Sequence, residues 1–501
     1  MTTKRLAWIA AALVFAVHAL GNAHYGFFRD ELYFIICGRH PQWGYVDQPP
    51  VVPLLAALTQ IFGHSLWLLR IVPALFAAGG AFVTVLLASE FGGGLFAQSL
   101  ATLVYLFSNV LLSFGEKVGA DEVGLFTWPL IAYLVLRIVK GADPRLWLAV
   151  GLAVGASLES KYSVLFFVAA LVAGLLLTPQ RVRLASRWAL GGAAIAFLIA
   201  LPNVLWQAYY HFPMWQLLEA GQHGKNVIAG PVLYLIQQLL ITNLFLFPVW
   251  VIGVVWLFTR PALRAFGWLY VILIAEMIVL HGKHYYPANV YPIVIAAGAV
   301  PIEAWTRRHH VTRTAVMAYA LLLGPLFIPF SLPVLPETAF VAYQNRVDDL
   351  LHVPRAILAT EHNRETSVLP GDWADMHGWP AMAAAVQRVY DALPPAERAR
   401  AVVFGGNYGE ASTVAFFDPG IPVISSHNQY WLWGPAPYDG AVMIQINGTC
   451  WAKEGYFRSS TVAARLDVPW AISYERGIPI NVCRGLKIPV SRLWNESKNY
   501  S

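Results

Sequence analysis

Long apolar runs alternate with short polar breaks over the first two thirds of the chain. A helix needs about 20 apolar residues to cross the hydrocarbon core of a bilayer, and runs of roughly that length follow one another to about residue 333. The pattern predicts eleven spans, of which the fifth and sixth are short for a full crossing. The predicted spans are 6–24, 67–89, 96–113, 123–139, 146–158, 162–178, 188–206, 231–258, 266–281, 288–305 and 314–333.

Composition gives the same picture, because 57% of the 501 residues are hydrophobic and only 12% are charged. Soluble domains carry about twice that charged fraction, so the chain is predicted to be a polytopic α-helical membrane protein. Lys and Arg concentrate in alternate short loops, which places those loops and the N-terminus in the cytoplasm. The net charge of +6 therefore needs no nucleic-acid partner. Lys4-Arg5 and Gly21-Asn22-Ala23 also imitate a signal peptide, whose removal would delete span one only.

Residues 334–501 have a more polar character and contain no run long enough to span a membrane. With eleven crossings, this part lies outside the cytoplasm as a soluble α/β domain, after a transmembrane domain over 1–333 whose first outer loop is 25–66. Buried strands are predicted at 400–406 and 440–446, with a helix at 408–418. An oxidising compartment permits a disulfide between Cys450 and Cys483, although the sequence does not fix the pairing. We expect an inner (plasma) membrane location.

Ionisable residues near the span ends gather on the predicted outer side. Placing such a group inside the bilayer costs about 2.5–3.5 kcal/mol on insertion scales, so these groups usually mark a site or a pathway. The asymmetry predicts a site at the outer face of the membrane. The residues are Asp30, Glu31 and Asp47 in the first outer loop; Glu116, Lys117, Asp121 and Glu122 in the second; Glu159 and Lys161 in the third; and His281, Lys283 and His284 in the fifth.

These groups suit transfer of a group from a lipid-linked phosphate. A carboxylate such as Asp30 can accept the proton of an attacking hydroxyl, while Lys283, with Lys161, can neutralise the departing phosphate. Tyrosines beside these charges, such as Tyr45 and Tyr285, can pack against sugar or prenyl surfaces.

Structural roles are open for the same residues. Asp30 and Glu31 suit the N-terminal turn of a helix, Asp121 and Glu122 suit helix capping, and Asp47 suits a turn. Lysines can reach lipid headgroups, and aromatic side chains can anchor the membrane interface. His281 and His284 lack a clear third ligand, so no metal site is predicted.

Two rival functions are a lipid or sugar transporter (flippase) and a non-catalytic envelope-assembly subunit. A transporter would place ionisable residues near the membrane midplane, often in paired repeats. The charges here lie at one face, and no repeat is visible. An assembly subunit should tolerate the replacement of Asp30 by Asn, because its function would not need the carboxylate.

The stretch "RDELYFIICGRHPQWGYVDQPPVVPLL" resembles the first outer loop of bacterial membrane glycosyltransferases of the GT-C class, glycosyltransferase family 39. These are related to protein O-mannosyltransferases and lipid A aminoarabinose transferases. The family's Asp-Glu pair corresponds to Asp30-Glu31, and its W-GY-D-PP segment to Trp43-Gly44-Tyr45, Asp47 and Pro49-Pro50. "SKY" (160–162) and "GKHYYPANVYP" (282–292) are similar to its later lysine-bearing turns.

This resemblance implies an inverting glycosyltransferase with a polyprenyl-phosphate sugar as donor, mannose by default, and no tightly bound cofactor. The acceptor is a hydroxyl on a glycan, lipid or protein, and the need for a divalent cation is left open. Tyr33 and Asp47-Gln48-Pro49 depart from the aminoarabinose transferases, which argues against lipid A in particular. The implied sites are Asp30 and Glu31 for catalysis; Lys283, Lys161, His284 and Tyr285 for the donor; and Asp47, Tyr45, Asp121 and Glu122 for the acceptor.

Overall fold

A computed structural model describes residues 1–22, 24–222, 226–352, 355–361 and 367–500. The chain divides into two units, each formed from separate stretches of sequence. We call Met1–His24, Ser65–Trp206 and Ile228–Pro336 the helical unit. We call Tyr25–His64, Gln207–Val227 and Glu337–Ser501 the sheet unit.

The elements follow in chain order. The helices are α1 (Thr3–Gly21), α2 (Arg29–Arg39), α3 (Val51–Thr59), α4 (Leu66–Glu90), α5 (Leu95–Leu106), α6 (Asn109–Glu116), α7 (Glu122–Val139), α8 (Leu146–Leu158), α9 (Val164–Leu176), α10 (Arg187–Tyr209), α11 (Pro213–Ala220), α12 (Pro231–Thr242), α13 (Phe247–Thr259), α14 (Arg264–Val279), α15 (Tyr291–Thr306), α16 (His310–Leu323), α17 (Glu337–Leu351), α18 (Gly371–Ala374), α19 (Trp379–Asp391), α20 (Pro395–Arg398), α21 (Tyr408–Phe417), α22 (Gln429–Trp433) and α23 (Val490–Glu496). The strands are β1 (Ala401–Phe404), β2 (Val423–Ile424), β3 (Val442–Ile446), β4 (Phe457–Leu466) and β5 (Ile478–Leu486).

Six helical segments in the described part of the chain are long and apolar enough to cross a membrane, or up to eight if each of two bent pairs forms one span. The six are Thr3–Gly21, Leu66–Glu90, Glu122–Val139, Arg187–Tyr209, Ala288–Thr306 and His310–Phe330. Every predicted span coincides with a helix or a bent pair. The count of eleven crossings stays a prediction, because helices such as α8 and α9 are short.

Two predicted spans are bent. The span at 96–113 is α5 and α6, which meet at 63°, and the span at 231–258 is α12 and α13, which meet at 116°. Asn243 lies in the second bend with a positive φ of 124°. Its side-chain amide donates to the carbonyls of Phe107 (2.9 Å) and Gly324 (3.0 Å). These bonds hold the turn between α12 and α13 against two other segments of the helical unit.

Small residues allow close helix packing in the helical unit. Gly253 on α13 and Gly298 on α15 lie so close to the opposing backbone that a Cβ on either would meet a carbonyl oxygen of the other helix. Such contacts between small residues are a general means of association for membrane helices.

The sheet unit contains a five-stranded mixed sheet in the order β2-β1-β3-β5-β4. β1 is parallel to β2 and β3, while β5 is antiparallel to β3 and β4. The strands predicted at 400–406 and 440–446 are confirmed as β1 and β3, and the helix predicted at 408–418 as α21. A disulfide joins Cys450 to Cys483 on β5, which is the pairing that the sequence permits.

The sheet unit also includes residues 25–64, the predicted first outer loop. Within the unit, α2 packs against both α3 and α21. Because α21 begins directly after β1, this packing brings the charged start of α2 to residues near the end of a sheet strand.

Candidate active site

Asp30 lies in the first turn of α2 with its side chain 32% exposed. Its Oδ1 accepts a hydrogen bond of 2.7 Å from the Tyr408 hydroxyl and lies 3.5 Å from the Arg29 Nε. Its Oδ2 makes no hydrogen bond to any residue that the structure describes. One oxygen is therefore held by the protein, and the other can accept a proton from a bound molecule.

Arg29 is also held by groups other than Asp30. Its Nε lies 3.6 Å from the fully buried Asp375, and one Nη donates to the Tyr474 hydroxyl at 2.6 Å. The guanidinium also lies over the Tyr408 ring, 5.1 Å from its centre. Burial acts to lower the pKa of Arg29, but Asp375 and the neighbouring tyrosines and Asp30 raise it overall, so Arg29 stays charged.

Asp47 lies half-buried in the loop between α2 and α3. Its Oδ1 accepts from the Tyr33 hydroxyl at 3.0 Å and its Oδ2 from the Asn428 amide at 3.3 Å. Burial raises the pKa of Asp47 to about 7, against the opposing effect of the Tyr33 hydrogen bond. The rings of Tyr33 and Tyr408 lie 4.6 Å apart, so one tyrosine pair links the two carboxylates.

A buried carboxyl pair, Glu410 and Glu475, supports the start of α21. Glu410 accepts from the backbone of Gly406 (2.6 Å), from Asn407 (3.0 Å) and from Asn447 (3.3 Å), and Asn407 also donates to Glu475 (2.9 Å). Burial raises the pKa of Glu410 to about 7, and burial together with the nearby Glu410 raises the pKa of Glu475 well above its ordinary value. Both carboxyl groups therefore favour the neutral form more than an exposed glutamate does.

Two predicted site residues of the first outer loop have structural contacts. Glu31 accepts from the Phe28 backbone N–H at 2.8 Å, which is a helix N-terminal capping contact. Tyr45 is 1% exposed, and its hydroxyl donates to the Cys37 carbonyl at 2.8 Å. The structure therefore gives no support to Tyr45 as an acceptor-binding residue, because its ring is enclosed by the core.

In the helical unit, three of the predicted outer turns come together. The Lys161 Nζ lies 2.6 Å from Asp121 Oδ2 and faces the rings of Tyr286 (4.8 Å) and Tyr285 (5.7 Å). Asn289 donates to the Asp121 carbonyl at 3.2 Å. Lys161 is thus held by an acid and two aromatic faces, an arrangement more specific than a lysine that reaches lipid headgroups.

The remaining predicted residues of the helical unit differ in exposure. Glu122 is buried, and its carboxylate accepts from the Gly119 N–H at 3.2 Å, which favours the capping interpretation. The Lys283 carbonyl accepts from the Tyr234 hydroxyl at 3.4 Å, and the carbonyl of the buried His284 accepts from Gln238 at 2.9 Å. Across the described ranges, no group of three His, Cys, Asp or Glu side chains is placed to hold a metal ion.

One predicted outer charge has a buried partner within the helical unit. Glu116 forms a 3.0 Å ion pair with Arg70, and both side chains are fully buried. Arg70 also donates to the Asn22 and His24 carbonyls. Sequence reasoning overlooked Arg70 because it lies inside an apolar span.

Comparisons with known proteins agree with this architecture. Residues 47–206 match the family model described as dolichyl-phosphate-mannose-protein mannosyltransferase. The chain is 28% identical over 182 residues to the lipid A galacturonosyltransferase RgtD of Rhizobium johnstonii, a match that covers 36% of this chain and 38% of RgtD. The aligned stretch thus spans well under half of that relative.

Solved structures extend the likeness over the whole chain. The crystal structure of ArnT from Cupriavidus metallidurans bound to undecaprenyl phosphate matches with a TM-score of 0.63 at 16% identity, covering 95% of this chain and 97% of ArnT. The same protein in the apo state gives a TM-score of 0.62. The chain therefore has the ArnT fold, apolar helices with a C-terminal sheet domain. Together the comparisons show that the chain is similar in sequence to glycosyltransferases and shares its fold with ArnT, and its apolar helices are those of a multi-pass membrane protein.

Proposed function

We propose that this chain is an inverting glycosyltransferase that moves a sugar from a polyprenyl-phosphate donor to a hydroxyl group at the outer face of the inner membrane. The observation that carries the proposal is the state of Asp30, with Oδ1 held by Tyr408 and Oδ2 open. The match to a mannosyltransferase family model and the relation to RgtD support the reaction class.

In the proposed reaction the acceptor oxygen attacks the anomeric carbon of the donor sugar. The bond from that carbon to the phosphate oxygen breaks, and the polyprenyl phosphate leaves with the electron pair. Asp30 Oδ2 accepts the hydroxyl proton as the new bond forms. A one-step displacement from the opposite side inverts the configuration of the sugar.

Lys283 and Lys161 are the side chains proposed to neutralise the departing phosphate, with His284 and Tyr285 beside them. Their positive charge and the resemblance of "SKY" and "GKHYYPANVYP" support this role. Asp121 holds Lys161 at 2.6 Å, so a phosphate at Lys161 would share that ammonium with Asp121. Asp47 is proposed to contact the acceptor.

The donor and acceptor are proposed by class. ArnT was crystallised with undecaprenyl phosphate, which supports a long polyprenyl carrier. RgtD is named for galacturonosyl transfer to lipid A, so galacturonic acid joins mannose as a candidate sugar. This relation favours a lipid acceptor. In the sequence, Tyr33 and Asp47 depart from the pattern of the aminoarabinose transferases, which counts against lipid A itself. We also propose that the chain crosses the membrane eleven times and that the sheet unit lies outside the cytoplasm.

The test uses purified wild type and Asp30→Asn with radiolabelled polyprenyl-phosphate donors carrying mannose, galacturonic acid or aminoarabinose. Lipid A and crude envelope extract serve as acceptors. We expect label transfer from one donor by wild type and a loss of roughly 100-fold or more in Asp30→Asn. The matched control is Asp391→Asn, which changes an exposed carboxylate of the sheet unit.

Equal transfer by wild type and Asp30→Asn would remove Asp30 from the mechanism. Failure of folded wild type to use any of the donors would contradict the transferase proposal and favour the transporter interpretation.

A further inference from the structure

The hydroxyl that holds Asp30 comes from the other end of the sheet unit. Tyr408 is 378 residues away in sequence, and its hydroxyl donates to Asp30 Oδ1 at 2.7 Å. We propose that Tyr408 is a positioning residue that fixes the Asp30 carboxylate and leaves Oδ2 as the atom that accepts the acceptor's proton. This inference rests on the proposed glycosyl transfer and names a residue that the sequence analysis did not identify.

The surroundings of Tyr408 keep it rigid. Its backbone N–H donates to His427 Nδ1 at 3.3 Å, and its ring packs against His427 (4.9 Å) and Tyr33 (4.6 Å). The Asn407 side chain caps α21 by accepting from the Glu410 N–H at 3.0 Å. Tyr408 is only 7% exposed, so its hydroxyl is directed by the fold of the C-terminal sheet.

Arg29 lies near the same oxygen of the carboxylate. It lies 3.5 Å from Asp30 Oδ1 and over the Tyr408 ring, and Asp375 and Tyr474 hold it in turn. Gly409 leaves room for this side chain, because a Cβ at position 409 would collide with the aliphatic part of Arg29. Both contacts fall on the same oxygen, which is the geometry that leaves the second oxygen available.

The charged and titratable groups that face the Asp30–Tyr408 contact are Arg29 on α2, Asp47 in the following loop, and His427 beside the Tyr408 ring. Burial and the negative charge of Asp30 raise the pKa of Tyr408, so it remains a neutral donor. Loss of the hydroxyl should therefore leave Asp30 Oδ1 without this donor and let the carboxylate rotate.

The experiment compares Tyr408→Phe with Tyr438→Phe. Tyr438 is also in the sheet unit and 7% exposed, but its hydroxyl has no hydrogen-bond partner among the described residues. We expect Tyr408→Phe to lower kcat roughly 10- to 100-fold, since small misplacements of a catalytic group have effects of this order. We expect the donor KM to stay the same and Tyr438→Phe to match wild type.

Two further measurements separate positioning from a general structural effect. Tyr408→Phe should add nothing to the loss already present in Asp30→Asn, because both changes act through one carboxylate. The losses of melting temperature caused by Asp30→Ala and by Tyr408→Phe should likewise be non-additive in the double variant, because both changes remove the same hydrogen bond.

Equal kcat in Tyr408→Phe and wild type would overturn the inference. Losses of kcat and of melting temperature that simply add to those of the Asp30 variants would also overturn it, because only packing would then have been lost. If wild type transfers no sugar, the proposed function fails, and the melting temperatures of the Asp30→Ala and Tyr408→Phe variants still decide whether Tyr408 holds the Asp30 carboxylate.

Discussion

Asp30 and Asp47 lie in the same loop region, yet their surroundings give them different properties. Asp30 has one oxygen open, whereas both oxygens of Asp47 accept hydrogen bonds, from Tyr33 and Asn428. A carboxylate whose oxygens are both occupied is poorly placed to receive a substrate proton. This difference favours Asp30 as the base and gives Asp47 a role in shaping the site.

The raised pKa of Asp47, about 7, predicts a pH-dependent effect on stability. The folded protein retains this proton above pH 4 while the unfolded chain releases it, so the contribution of Asp47 becomes less favourable as pH rises from about 4 to 7. Asp47→Asn removes this ionisation but turns an amide donor towards the Tyr33 or Asn428 donor. We therefore expect its melting temperature in detergent, relative to wild type, to be higher at pH 8 than at pH 5, by an amount equivalent to about 1–2 kcal/mol after allowance for partial exposure.

The difference should be least favourable to Asp47→Asn at pH 5, where wild-type Asp47 is already neutral. Asp391→Asn, at an exposed position, should show no such trend. A difference between Asp47→Asn and wild type that is the same at both pH values would contradict the assignment.

The buried pair Glu410 and Glu475 predicts opposite outcomes for the same substitution. Both oxygens of Glu410 accept from N–H donors. In Glu410→Gln the side-chain NH2 replaces one of these oxygens and faces an N–H group. We expect this substitution to destabilise the protein by about 1–3 kcal/mol. Glu475 Oε2 has no hydrogen bond within the described residues. Glu475→Gln should therefore be neutral or stabilising. Thermal melting of the two variants, side by side, checks this; equal losses would contradict it.

The sequence indicated candidate site residues where charge and motif coincided. Asp30 became a candidate because a carboxylate next to an apolar span is costly unless it is used. Tyr408 carries no charge, and nothing local connects it to Asp30. Arg70 was overlooked because a single Arg within a long apolar run does not change the prediction of a membrane span.

At the scale of elements, hydrophobic length predicted the helices well, and the bends poorly. The break between α12 and α13 depends on Asn243, whose amide bonds two distant carbonyls. Such a turn is not visible in apolar composition. β4 was not predicted because most of its residues are exposed, so it lacks the alternation that marks a half-buried strand.

Substitutions of Arg70 and Glu116 test how strongly this ion pair holds α4 and α6 together. Arg70→Met should destabilise the protein by about 3–5 kcal/mol, because it removes the guanidinium that lies 3.0 Å from the buried Glu116 carboxylate. Adding Glu116→Leu should recover part of that loss, since the buried carboxylate is then removed as well. Melting of single and double variants in detergent measures this. A double variant less stable than Arg70→Met alone would mean that Glu116 has another stabilising partner of equal weight.

At the scale of the whole molecule, the sheet unit gathers residues 25–64, 207–227 and 337–501. The sequence suggested the C-terminal part as a separate domain because its polarity changes near residue 334. It could not show that the first outer loop packs with that part, because the contact joins segments far apart in the chain.

The disulfide predicts both a stability effect and a location. Cys450 and Cys483 close a loop with a sequence separation of 33, and Cys450→Ser should cost roughly 2–4 kcal/mol. Alkylation of the denatured protein from intact cells with a mass-tagged maleimide should modify one thiol, Cys37, without reduction and three after it. Three modified thiols without reduction would argue against an oxidising location for the sheet unit.

The 378-residue separation between Asp30 and Tyr408 has a consequence for biosynthesis. Ribosomes add about 5–20 residues per second, so the loop that carries Asp30 emerges roughly 20–80 seconds before the tyrosine that holds it. During that interval the carboxylate lacks its proposed orientation, and a nascent or prematurely terminated chain has the membrane helices without a competent base. Sugar transfer would then begin only after the C-terminal sheet has been translated, which protects the lipid-linked donor from consumption by unfinished copies of the protein.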